Sequence, residues 1–511
     1  MAKNVLEYLE DSAARFPDKK AFEDETSSCT YAELSQRTKI IGSVLANKIP
    51  AGSPIPVFME KSVTAVTLFM GIISAGCFYV MLDVKQPVTR LNQILKTLGA
   101  AVIITDHANK NVLACLDFAG AVLTFEEIMQ DQPDEKMLMV RRNQALDIDP
   151  LYGIFTSGST GVPKCVVINH RSVIDFMNYF TDLFQISERD IIGNQAPFDF
   201  DVSVKDIYST LKIGATMEII PRRMFSVPTQ LIDYLSDRKV TTLIWAVSAL
   251  CIITTLNAFE YKIPPDINKI LFSGEVMPIK HLNKWREVYP EALFVNLYGP
   301  TEITCNCTYY IVDRKFQPGE VLPMGKAFPN EKVFLLDENN QLITEPKQEG
   351  ELCVSGTALA LGYYNNQGQT EKAFMQNPLN PNFLELIYRT GDLVYYNDRG
   401  ELCFASRKDF QIKHMGQRIE LGEIEICMGR ISEIRRACCI FDTQTNKIVA
   451  FYEGDITKSL IIRQLKIDLP VYMLPNTLFR VEAMPISKNG KIDRTTLKDL
   501  LKKGLKWNGA F

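Results

Sequence analysis

Residues 156–164 read TSGSTGVPK. Hydroxyls stand at Thr156, Ser157, Ser159 and Thr160, glycines at Gly158 and Gly161, and a cation at Lys164. Glycines let a backbone bend close to an anion. Hydroxyls and amide N–H groups donate to phosphate oxygens, and the ammonium adds a point charge. The chemistry this composition suits is therefore phosphate binding. By composition alone the plainer reading is a solvated Ser/Gly turn. It is not a Walker loop, which needs Gly-Lys-Ser/Thr at fixed spacing, because Pro163 precedes Lys164.

An anion-binding turn needs a strand to present it, and the apolar run 151–155 just before it fits. A chain of 511 residues is too long for one core, so two to four folding units are expected. From about residue 30 to 310, strand-like runs such as 101–105 (AVIIT), 240–245 (VTTLIW) and 269–272 (KILF) alternate with longer helical stretches. That alternation implies α/β layers with mainly parallel sheets, whose doubly buried strands read as continuous apolar runs. After residue 310 the texture turns β-rich. Residues 332–337 and 341–344 read as a hairpin, and 350–356 and 401–405 as short strands. Beyond Arg407 a smaller α+β unit follows, with strands at 436–442 and 447–452 and a helix at 459–469. The boundary falls near 406–409, dividing the chain into 1–406 and 407–511.

Composition removes several functions. Hydrophobic residues are 46% and charged residues 23%, ordinary for a soluble protein. A net charge of −4 leaves no basic footprint for nucleic acid. The 12 cysteines are scattered and only 4 histidines are present, so the paired spacing of a structural zinc site is missing. Unpatterned cysteines fit a reducing, cytoplasmic setting. The N-terminus has the pattern of an amphipathic helix and lacks an apolar signal core. Residues 63–82 carry no charge and are long enough to span a bilayer. Ala75 and Gly76 break the run, so a buried helix, a turn and a buried strand are expected, with no membrane span.

TSGSTGVPK resembles the phosphate loop of the adenylate-forming superfamily, which includes acyl-CoA synthetases, luciferase-like enzymes and nonribosomal-peptide adenylation domains. Further motifs follow in that family's order: TYAEL at 30–34, YGPTE at 298–302, YRTGDL at 388–393, RKDFQIKHMGQRIELGEIE at 407–425 and NGKIDR at 489–494. Residues 75–87 look like another, although Met81 and Leu82 replace its usual proline-containing segment. Cys165 and Ser406 stand where glycine is usual. The resemblance covers nearly the whole chain. It implies a large N-terminal region of Rossmann-like α/β subdomains plus a β-rich subdomain, with a small, mobile α+β C-terminal domain. It implies ATP and Mg²⁺ as cofactors, with Glu302 holding the metal and Thr301 contacting the α-phosphate. Tyr298 would stack on adenine, and Asp392 and Arg407 would reach the ribose. Gly274, Glu275, Asn296 and Gly299 complete the implied nucleotide site. Lys491 would bridge the substrate carboxylate and AMP, and Asp409 would be the hinge.

In amino-acid-activating members an aspartate in a Phe-Asp-x-Ser stretch binds the substrate's α-amino group. Asp201 in FDVS matches it. Asp199 competes, because on a strand the two would share a face. The remaining pocket would be Val202, Lys205, Ile244, Leu271, Ser273, Leu297, Cys305 and Asn306. The whole chain looks like the D-alanine–carrier protein ligases, but that group has a hydrophobic residue where Lys205 stands. A buried lysine is costly unless paired. Its partner is either Asp206, another acid of the fold, or a polar or acidic group of the substrate. The implied reaction is ATP-dependent adenylation of D-alanine or of a small polar or acidic amino acid, followed by transfer to a phosphopantetheine thiol on a separate carrier protein. The alternative within the superfamily is an acyl- or aryl-CoA ligase.

Overall fold

The computed structural model describes residues 2–158, 161–317, 319–486 and 492–502. The uncharged run at 63–82 folds as expected. Helix Val63–Ser74 starts at Ser62, whose side chain accepts from the Ala65 amide. Gly76 turns the chain at φ 75°, a conformation glycine adopts without steric cost. Strand Phe78–Leu82 follows, buried along its whole length. No described helix is long and apolar enough to cross a membrane.

That strand is central to a seven-stranded sheet. It runs parallel to Pro54–Phe58 on one side and to Pro150–Thr156 on the other. Pro150–Thr156 then pairs antiparallel with Lys164–Asn169, so the phosphate-loop segment joins two neighbouring strands. A nine-stranded sheet holds the other half of the core. Its centre is the parallel series Ile191–Asn194, Thr242–Ala246, Lys269–Ser273 and Leu293–Tyr298. The three strands expected between 101 and 272 are present, each displaced by no more than two residues from its reading.

The β-rich segment is a six-stranded antiparallel sheet. Glu331–Leu336 pairs with Leu342–Ile343 as the expected hairpin, and Gly350–Gly356 lies beside it. Past Arg407 come a short hairpin, Gln411–His414 with Gln417–Glu420, and a three-stranded sheet of Ile434–Asp442, Lys447–Gly454 and Thr477–Arg480. Helices Leu421–Gly429 and Lys458–Asp468 pack with this sheet around a core of their own.

Helix Val88–Leu98 supplies two of the ties that hold this C-terminal segment to the rest. Thr89 donates to the Ile467 carbonyl at 2.7 Å. Arg90, on helix Val88–Leu98, meets Glu423 on helix Leu421–Gly429 at 2.7 Å, with both side chains at 5% exposure or less. A buried pair of this kind adds little over apolar packing, but removing one partner strands the other charge. Arg90→Met should destabilise the protein by about 3 kcal/mol. Adding Glu423→Leu should recover most of that loss, and urea denaturation of the single and double variants checks both values.

Candidate active site

The carboxyl ends of parallel strands are where open α/β sheets place ligands. Strands Pro150–Thr156, Lys269–Ser273 and Leu293–Tyr298 end around one small cavity of about 70 Å³. Its wall brings together Thr156 and Ser157 of the phosphate loop, Asp201 and Val202 at the start of helix Val202–Ile213, and Ser273 and Gly274. Gly299, Thr301, Cys305, Asn306, Asp392 and Arg407 also line it, with Lys413, Gly416 and Arg418. A larger cleft of about 710 Å³ adjoins it and shares Ser273, Gly274, Gly416 and Tyr472.

Several candidate residues do not form this wall. Ile244, Leu271 and Leu297 are buried within the sheet. Asn296 donates to the Pro323 carbonyl at 2.8 Å. Ser159, Thr160 and Lys491 lie outside the described residues. In the loop, Gly158 has no room for a side chain, because an added Cβ would meet the Val162 carbonyl oxygen at 2.1 Å. Gly161 takes φ 76°. The Thr156 hydroxyl is buried and has no hydrogen-bond partner among the described residues. An orphaned donor on the cavity wall suits a loop built for an anion.

Glu302 is fully buried on the turn after strand Leu293–Tyr298. Arg418 donates to both its oxygens, at 2.7 and 2.9 Å. Lys164 reaches it at 3.3 Å, and the Tyr363 hydroxyl donates to it at 2.7 Å. Burial alone would raise this carboxyl's pKa, but Arg418 and Lys164 outweigh it and hold the group well below the usual range. Among the described residues Glu302 is the carboxylate that forms ion pairs with Lys164 and Arg418. Among the described residues, no group of three His, Cys, Asp or Glu could hold a metal. A hard oxygen of this kind fits a Mg²⁺ ion that brings water and phosphate oxygens of its own.

A second charged group runs from Tyr298 through Asp392 and Arg407 to Asp409. The Tyr298 hydroxyl donates to Asp392. Arg407 donates to Asp392 at 2.6 Å and grips Asp409 at 2.7 and 2.9 Å. Strand pairing sets Asp392 opposite Arg407. Lys413 lies over the Tyr298 ring, 5.1 Å from its centroid.

Lys413 and Arg418 both come from the Gln411–Glu420 hairpin, and sequence reasoning assigned neither a role. Both stand inside the quoted 407–425 motif, so their position was visible. What was not visible is that the hairpin reaches into the cavity. Its turn has positive φ at both central residues, Met415 at 54° and Gly416 at 74°, the type I′ geometry that matches strand twist. The Gly416 amide donates to Glu275 at 3.0 Å. A Cβ on Gly416 would sit 3.0 Å from Ala246. Ser157 closes the contact by donating to the Arg418 carbonyl at 3.0 Å.

Two expectations need correction. Asp199 and Asp201 do not lie on a strand but on a turn before helix Val202–Ile213. They therefore separate. Asp201 lines the small cavity, while Asp199 lines the larger cleft and accepts from Gln86 at 3.1 Å. Burial raises both carboxyls, Asp199 to about 6. Nor does Asp206 pair with Lys205. It accepts from Asn194 at 2.6 Å, and its other oxygen has no partner among the described residues. Lys205 instead donates to Asn306 Oδ1 at 2.8 Å and Ser273 Oγ at 3.3 Å.

The held-down Glu302 carboxyl has a consequence for acid stability. A folded pKa below the unfolded one adds stability that is complete above the unfolded value and is lost as pH falls toward the folded value. Wild-type protein should therefore lose stability on descending below about pH 4.5. Glu302→Gln should be less stable at pH 7 and show a flatter acid limb, read by urea denaturation from pH 7 to 3.5.

The AMP-binding enzyme family matches residues 9–364. Zwittermicin A synthase ZmaJ of Bacillus cereus is 31% identical over 97% of this chain and 95% of its own. The D-alanine–D-alanyl carrier protein ligase of Bacillus licheniformis is 29% identical over 97% of this chain and 99% of its own. Other curated relatives are much longer, and the chain spans 14% of one and 45% of another. The Vibrio cholerae adenylation domain AlmE, solved with glycyl-adenosine-5′-phosphate, superposes with a TM-score of 0.85 at 20% identity, covering 98% of each chain. On its sequence match over more than half its length, the chain belongs to the AMP-binding enzyme family.

Proposed function

We propose that this chain adenylates an amino-acid carboxylate with ATP, releasing pyrophosphate, and passes the aminoacyl group to the phosphopantetheine thiol of a separate carrier protein. The observation that carries this reading is the position of Asp201. Its carboxylate shares one small cavity with Thr156 and Ser157 of the phosphate loop and with Asp392 and Arg407. A buried acid there attracts an α-ammonium and repels a fatty acyl chain. Relatives whose printed names are synthases and a carrier protein ligase support the same class.

In the first half-reaction a substrate carboxylate oxygen bonds to the α-phosphorus and pyrophosphate leaves. Negative charge grows on the phosphate, and preorganised donors stabilise it. Thr156, Thr301 and Lys164 would supply those donors, together with Lys491 by the family resemblance. Tyr298, Asp392 and Arg407 would hold the nucleoside, with Gly274, Glu275 and Gly299 beside it. Glu302 would hold Mg²⁺, which neutralises phosphate charge. Arg418 engages both Glu302 oxygens here, so Arg418 would have to release the carboxylate for Glu302 to hold the ion. That exchange fits a C-terminal unit, 407–511, turning about Asp409 against 1–406 between the half-reactions. In the second half-reaction the thiolate attacks the carbonyl and AMP leaves. The larger cleft, which meets the cavity at Gly274 and Gly416, gives the thiol a way in. We place the enzyme in the cytoplasm, where ATP is available.

The substrate is D-alanine or a small polar or acidic amino acid. The alternative is an acyl- or aryl-CoA ligase, which the acid at Asp201 disfavours. Exchange of labelled pyrophosphate into ATP tests the reading. It should depend on an amino acid and fall at least about 100-fold in Asp201→Ala and in Lys491→Ala. Exchange driven only by acids that lack an amino group would establish the CoA-ligase alternative instead.

A further inference from the structure

Lys205 is fully buried, yet it forms no ion pair with any described carboxylate. Its two acceptors, Ser273 Oγ and Asn306 Oδ1, are neutral. An ammonium has three donors, so two neutral acceptors leave both its charge and one N–H unanswered. Burying a cation in this way is unfavourable unless an anion arrives.

Neither nearby acid bonds to Lys205 directly. Asp206 accepts from Asn194 Nδ2, and Lys61 donates to the Oδ1 of the same side chain at 2.9 Å. These three side chains form one run of contacts, in which the other Asp206 oxygen has no partner among the described residues. Asp201 stands on the cavity wall, where the proposed function gives it the substrate's α-ammonium. Once that ammonium is in place, Lys205 is the charge left over. Burial lowers its pKa, while Cys305, Asp201 and Asp206 pull it partly back toward the charged form.

The geometry aims this surplus at the substrate. Both acceptors of Lys205 line the same cavity as Asp201. Asp201 and Lys205 are four residues apart at the start of one helix, a spacing that puts them on one face a turn apart. The cavity wall therefore carries the Asp201 anion together with Ser273 and Asn306, and these two bond the Lys205 ammonium, which does not itself line the wall.

We propose that the amino acid activated here carries a side-chain carboxylate, which Lys205 holds while Asp201 holds the α-ammonium. This rests on the amino-acid reading above. It makes Lys205 a specificity-determining residue, with Asn306 and Ser273 presenting it. A methyl side chain such as that of alanine would leave the buried ammonium without a counter-charge.

The test is pyrophosphate exchange by the full chain over the D and L forms of aspartate, glutamate, asparagine, serine and alanine. Aspartate or glutamate should exceed asparagine, serine and alanine about 100-fold in kcat/KM, because a site left with an unpaired buried charge rejects the analogue that lacks its partner. Lys205→Met should erase that preference through KM for the acidic substrate, and Lys205→Arg should retain part of it. If Lys205→Met does not fold, the wild-type ranking decides alone. Higher exchange with alanine, serine or asparagine than with either acid overturns this inference and leaves amino-acid activation standing. An acid preference that survives Lys205→Met overturns it as well. Exchange with no amino acid at all overturns the proposed function itself.

Discussion

A carboxylate with no access to water must be paired, and Glu302 is such a group. The chain meets that demand from three directions: Lys164 after the phosphate loop, Tyr363 from the neighbouring sheet edge, and Arg418 from the hairpin beyond residue 410. Two of these partners are cations, and in a low-dielectric interior their attraction exceeds what the same pairs would have in water. The turn that carries Glu302 is itself constrained. Thr304 and Cys305 both have positive φ, and the Thr304 hydroxyl is fastened to the Ala358 carbonyl at 2.7 Å. The unusual backbone holds the acid in the place where these partners converge.

Around the cavity three charged assemblies stay separate. One is centred on Glu302, one on Asp392 with Arg407, and one on Lys205. Each has a different ratio of acid to base. The first contains two cations for one anion, the second one arginine between two carboxylates, and the third a cation with only neutral contacts. Such imbalances cost stability and are retained where a ligand completes them. In the proposed function the first would meet phosphate, the second sugar hydroxyls and the third a side chain.

Much of this arrangement was legible in the sequence because short-range signals agree with the fold. The break at Ala75 and Gly76, the apolar runs of the parallel strands, and the hairpin near residue 340 all follow from local chemistry. The order of motifs also singled out Asp201, Thr301, Asp392 and Arg407, which the fold brings to one cavity. What could not be read was long-range. Asp199 and Asp201 are two residues apart, and a turn rather than a strand sends them into different cavities. Lys205 and Asp206 are neighbours in sequence, and helical geometry points them to different partners. The reach of Arg418 to Glu302 spans 116 positions. No local pattern reports a contact of that length.

The contacts that dock the C-terminal segment are ionic as well as apolar. Arg90 with Glu423 and Glu302 with Arg418 are both buried, and each joins groups from opposite sides of residue 409. Parting them would uncover charges that bind water strongly. Hydration of the freed ions then offsets much of the lost attraction, so docked and undocked positions can lie close in free energy despite the buried pairs. Such a balance is tuned by water activity. Excluded osmolytes would favour the docked form, and the volume change on parting would carry the electrostriction of water around four newly exposed charges.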